Sequence, residues 1–161
     1  MDGVRVALEA LDDAWSHPFE SLQAALADLG EAEAEFQPAA WSAEPREEGW
    51  PAPGTVRWQI AHLAHCKRHY ADIVKGLDAP APAPRPRVAL PTLAEELDAL
   101  AAAHGEEREA FAGLRPADLE LVAGGNMPMR EFLAMATRHD SWHASQIVLL
   151  RRLFRAEGAS A

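Results

Sequence analysis

Apolar residues recur along the chain at intervals of three and four, the period of helices packed on one side, in four stretches separated by proline and glycine. The first covers about residues 3–29 and is interrupted at S-H-P-F-E-S, because Pro18 cannot continue a helix but suits the first turn of a new one. Gly30 reads as its stop. The second runs from Thr55, a fair N-cap, to Gly76. The third opens on the capping box T-L-A-E, Thr92 to Glu95, and reaches about Leu114. The fourth begins near Pro128 and lasts to about Arg155. Four helices, one of them broken, predict an all-α four-helix bundle in a single domain over residues 1–161.

The connections are long. Residues 37–54 hold four prolines and two glycines, and the tryptophans Trp41 and Trp50 imply that this loop packs on the bundle. The segment D-A-P-A-P-A-P-R-P-R-V-A-L-P predicts a stiff, polyproline-like crossover. A turn-rich stretch, R-P-A-D-L-E-L-V-A-G-G-N-M, precedes the last helix.

One feature of the fourth helix conflicts with a plain core. Phe132, Met135, Ala136, Ile147, Leu150, Leu153 and Phe154 fall within roughly 60° of one direction on a helical wheel, and His139 and His143 within about 20° of it. Two imidazoles buried without partners would cost a few kcal/mol, which a shared metal ion removes, because neutral imidazole is a good ligand for zinc, nickel, copper or iron. On the second helix, His62 lies about 90° and His69 about 110° from the apolar direction, while His65, at roughly 150°, points to solvent. Either border histidine is placed to supply a third ligand, His62 the better. A pair of core histidines hydrogen-bonded to their surroundings fits the spacing as well as a metal does. The glutamate of H-E-x-x-H is absent, and Asp140, about 100° from His139, is a poor ligand, so a zincin-type protease is excluded.

Composition narrows the partners. A formal net charge of −10 argues against sequence-independent binding to nucleic acid or anionic lipid. No apolar run approaches the length of a membrane span, and the N-terminus lacks a signal-peptide pattern. Cys66 is the only cysteine, so an internal disulfide is impossible and a cytoplasmic setting is expected. It lies one turn after His62, where plain packing is the default.

The stretches G-T-V-R-W-Q-I-A-H-L-A-H-C-K-R-H-Y and H-D-S-W-H-A-S-Q-I-V-L-L-R-R resemble the DinB/YfiT-like superfamily, and H-P-F-E-S-L, residues 17–22, resembles a first-helix segment of one branch. The resemblance implies an antiparallel four-helix bundle with long crossover loops and a divalent metal ion (zinc, nickel, iron or manganese) held by His62, His139 and His143. Ser145 departs from the family pattern, in which a glycine precedes the residue matched by Gln146. The resemblance further implies a thiol-dependent S-transferase, in which the ion activates a low-molecular-weight thiol such as bacillithiol toward a small-molecule electrophile. A metal-dependent hydrolase and a non-catalytic, metal-stabilised stress protein are the alternatives, and a homodimer is implied. His17 and Gln146 are the auxiliary catalytic candidates. Trp41, Trp50, Trp58 and Trp142 are candidates to wall the pocket, and Arg151 and Arg152 suit a solvated C-terminal turn.

Overall fold

The computed structural model describes residues 2–41, 45, 47–86, 90–125 and 127–158. Positions 42–44 and 46 of the first long loop, 87–89 of the crossover and Asn126 of the turn lie outside the described residues. Four long helices form the body: α1 (Gly3–Ser16), α4 (Val56–Lys75), α5 (Leu93–Ala112) and α6 (Met129–Gly158), with the short helices α2 (Leu22–Leu26) and α3 (Glu31–Glu35) between α1 and α4. Among the described residues, no helix is long and apolar enough to cross a membrane.

The helix ends follow local chemistry. Asp2 accepts from the Val4 amide, Thr55 from Trp58, and Thr92 and Glu95 close the expected capping box. The break after α1 differs from expectation. Pro18 does not open the next helix; Ser21 does, its hydroxyl accepting from the Ala24 amide. Gly30 is no stop but the N-cap residue of α3. The loop before α4 packs as its tryptophans predict. Trp41 lies so close over Gly54 (φ +74°) that a Cβ there would come within 2.5 Å of the indole. The turn-rich stretch holds a 3₁₀ turn (Pro116–Glu120) and a two-residue antiparallel pair, β1 (Val122–Ala123) with β2 (Met127–Pro128).

Pairs across the helices fix their directions. Arg57 meets Glu96 and Lys67 meets Glu107, so α4 and α5 run parallel. Gln59 meets His143 and Lys67 meets Asp140, so α6 is antiparallel to α4. Asp12 binds Arg108 and Trp15 stacks on His104, so α1 is antiparallel to α5. The bundle is thus up-down-down-up, with antiparallel contacts between the two parallel pairs. Returning the chain from the end of α4 to the start of α5 means crossing about 30 Å of helix, which an extended proline-rich segment rising ~3 Å per residue can span.

The core is in two parts. One cluster includes Leu11, Val74, Phe111, Met129 and Leu133; the other includes Leu22, Ile60, Leu63, Leu100, Ile147 and Leu150. Between them lies a polar layer: Gln59, His62, Cys66 and Lys67 from α4, His104 and Glu107 from α5, and His139, Asp140 and His143 from α6. A bundle that spends its middle turns on polar side chains gives up apolar burial there, and the geometry of that layer shows what replaces it.

Candidate metal centre

Three imidazoles from two antiparallel helices meet in the polar layer. His139 Nε2 lies 3.3 Å from His62 Nε2 and 3.0 Å from His143 Nε2. His139 and His143 are one turn apart on α6, and their rings stand at 86° to each other, so that both present an edge nitrogen to the same point. Trp58, one turn before His62, stacks on the His62 ring at 4.8 Å and 8°, and Trp50 from the preceding loop packs edge-on against it. Tyr70 sits against His139 at 5.8 Å.

Gln59 was not anticipated from the sequence. Its Oε1 hydrogen-bonds to His143 Nδ1, and both residues are buried. A carbonyl oxygen only accepts, so Nδ1 carries the proton and His143 Nε2 is left with its lone pair aimed at the cluster. This is the partner arrangement that fixes the tautomer of a ligating histidine. The signal lay in W-Q-I-A-H, where a glutamine falls on the buried side of α4.

The protons available to the cluster bear on whether it suits an ion. With His143 Nε2 unprotonated, a single N–H on His139 Nε2 can point at His143 or at His62, not well at both. Without a cation, at least one of the two short contacts lacks an aligned hydrogen bond. Bonds of about 2.0–2.1 Å to one ion, at tetrahedral or octahedral angles, place two nitrogens about 2.9–3.4 Å apart, which brackets both separations. The ionisation states agree. Burial, reinforced by the neighbouring rings, lowers the pKa of His143 to about 3 and of His139 to about 4, and His62 is lowered as well, chiefly by burial. All three are neutral near pH 7, the form that binds metals.

Cys66 enters the same layer. Its Sγ lies 3.5 Å from His62 Nε2, and the donor atoms of His62, Cys66 and His139 all lie within 4.8 Å of one another; His143 stands outside this mutual group and touches it at His139. Burial pushes the thiol up to about 11, against the opposing pull of a hydrogen bond from Tyr70.

Beside the imidazoles lies a buried ionic triad that the sequence reading missed. Lys67 Nζ binds Glu107 Oε2 at 2.7 Å and Asp140 Oδ2 at 2.5 Å, with all three side chains about 1% exposed or less. His104, Glu107 and Asp140 form a second group with metal-ligand chemistry, but the Lys67 ammonium already supplies its cation. Asp140 therefore turns from the histidines toward Lys67. Burial raises the Glu107 carboxyl despite the ammonium, as expected where two carboxylates share one positive charge.

A surface cleft of about 560 Å³ along α6 reaches the centre at His139 alone and is otherwise lined by Met135, Arg138, Ser141 and Trp142. The other candidates lie elsewhere. His17 lines a different groove, between α1, α2 and α6; the α6 residues of that groove sit roughly 170° round the helix from His139 and His143. Gln146 is half-buried and hydrogen-bonds to none of the three histidines. His65 is half-buried, not solvated, and lines a separate cavity with Trp50, Arg68 and Glu96. His69 is half-buried, its Nδ1 buried without a partner. Arg151 also departs from its solvated expectation: it is buried, donates to the Ala25 and Ala27 carbonyls and pairs with Glu33, tying α2 and α3 to α6.

No curated protein and no solved structure matches the chain. The family comparison agrees with the helical bundle: the DinB superfamily model matches residues 14–147, and the chain belongs to that superfamily.

Proposed function

We propose that His62, His139 and His143 hold one divalent metal ion and that the chain is a thiol-dependent transferase acting on small electrophiles. The approach of two neutral imidazole nitrogens, those of His62 and His143, to within 3.3 Å of a third, His139 Nε2, carries this reading. When bound, the ion would supply the positive charge that keeps a low-molecular-weight thiol as its thiolate at neutral pH. The chain's residues do the rest. Gln59 holds the His143 ring in its ligating tautomer, and Trp58 holds the His62 ring flat against its own. Met135 and Trp142 give the cleft an apolar wall for an electrophile. Arg138, exposed at the same cleft and in no ion pair among the described residues, is placed to bind the carboxylate of an anionic thiol or substrate.

Pairing of two copies belongs to the same reading. Trp142, Leu149 and Leu153 form an exposed apolar ridge on α6, and sedimentation equilibrium tests whether it is covered in solution.

The test is turnover by metal-loaded protein of an aryl halide with bacillithiol, mycothiol or glutathione. Thiol-dependent product formation that is lost on chelation and in His139→Ala is the expected result. Ester or amide hydrolysis without any thiol would replace this reading with a metal-hydroxide hydrolase. Metal binding that raises the melting temperature without turnover would leave a stabilising clamp.

A further inference from the structure

We propose that Cys66 is a fourth ligand of the same centre, so that the resting site combines three imidazoles with one thiolate. This rests on the three-histidine reading and goes beyond it. His62 and Cys66 are one turn apart on α4, as His139 and His143 are on α6, and the two helices run antiparallel. Two i, i+4 pairs on facing helices are a natural way to surround one ion. The separation also fits. Bonds of about 2.3 Å to sulfur and 2.0–2.1 Å to nitrogen at a tetrahedral angle place the two atoms about 3.5–3.6 Å apart, and Cys66 Sγ lies 3.5 Å from His62 Nε2.

Two consequences follow for the proposed reaction. A soft thiolate beside three imidazoles favours zinc over manganese. An incoming thiol would take the position that Cys66 Sγ holds, and its proton would pass to Cys66 Sγ. No oxidation state changes. Cys66 would thus occupy the substrate position at rest and accept the proton on entry.

Cobalt(II) substitution of untagged protein tests the ligand directly. The wild type is expected to show the weak visible bands of the bound ion together with an intense near-ultraviolet sulfur-to-cobalt band. Cys66→Ser should keep the former and lose the latter. Because Cys66 is the only cysteine, alkylation by iodoacetamide gives a second readout that needs no variant: metal should protect the thiol and chelation should expose it. Cobalt bound without the sulfur band, with a thiol alkylated equally fast in both states, would overturn the Cys66 assignment and leave the three histidines standing. Failure to bind cobalt at all would overturn both.

Discussion

Replacing Lys67 by methionine keeps most of its volume and apolar stem while deleting the ammonium between Glu107 and Asp140. The parent holds these groups at 2.7 and 2.5 Å, out of reach of water. In the variant two buried carboxylates face each other with no cation, their oxygens within 4.8 Å. At an effective dielectric of about 20, two unit charges at that distance repel by about 3.5 kcal/mol. Breaking a buried ion pair from one side typically costs about 3–5 kcal/mol, consistent with that figure. For a domain of this size, each kcal/mol corresponds to roughly 2–4 °C, so the melting temperature should fall by about 6–20 °C. The deficit should also depend on pH. Without the ammonium the folded-state pKa values of the two carboxyls rise further above their unfolded values. The folded variant then binds more protons than its unfolded chain, and its stability improves as pH falls. The gap between variant and parent should therefore narrow from pH 8 to pH 5, and Glu107→Gln added to Lys67→Met should recover part of the loss. Urea denaturation of the three proteins at both pH values measures this. A Lys67→Met protein within about 1 kcal/mol of the parent at pH 8 would refute the reasoning, because an uncompensated buried pair cannot be that cheap.

Gln59→Leu should weaken metal affinity by about 10–100-fold in a chelator competition, with little change in the melting temperature of the metal-free protein; unchanged affinity would show that the Gln59 contact does not set the His143 tautomer. The metal-free protein should lose stability as pH falls from about 6.5 toward 4. His104 and His143 at about 3 and His139 at about 4 refuse protons that the unfolded chain accepts, so stability present above the unfolded value is lost on acidification; a melting temperature flat over that range would contradict the assigned burial. Arg151→Met should cost about 2–4 kcal/mol and expose the chain between α1 and α4 to proteolysis while leaving metal affinity unchanged, since its hydrogen bonds go to α2 and the residue after it.

The helix ends at Thr55, Gly76 and Thr92 and the buried imidazole pair of α6 were readable because each depends on a local rule. Thr55, Thr92 and Gly76 act within one turn of their own position, and His139 and His143 declare themselves by occupying the centre of an apolar stripe. What escaped involves more than one helix. Lys67 falls about 20° from Val56 on the wheel of α4, in the middle of its apolar face, and Glu107 falls about 40° from Leu93 and Phe111 on α5. Both anomalies could have been noticed. Charged residues are surface residues by default, however, and only the pairing of α4 with α5 and α6 gives these two a buried partner. The parallel course of α4 and α5 has no signature within either helix. His17 was drawn into the candidate site by its place beside Pro18, but the path of residues 17–21 is decided by the packing of α2, which turns it toward a different groove.

The metal content of untagged protein, wild type beside His139→Ala, bears most directly on the three-imidazole centre. After loading with zinc and removal of excess, the wild type should retain about one ion per chain. His139→Ala should retain none while keeping the helical circular dichroism of the parent, since His139 Nε2 is the atom nearest both other rings. An ion retained undiminished by the variant, or a wild type that holds no metal under any loading condition, would contradict it.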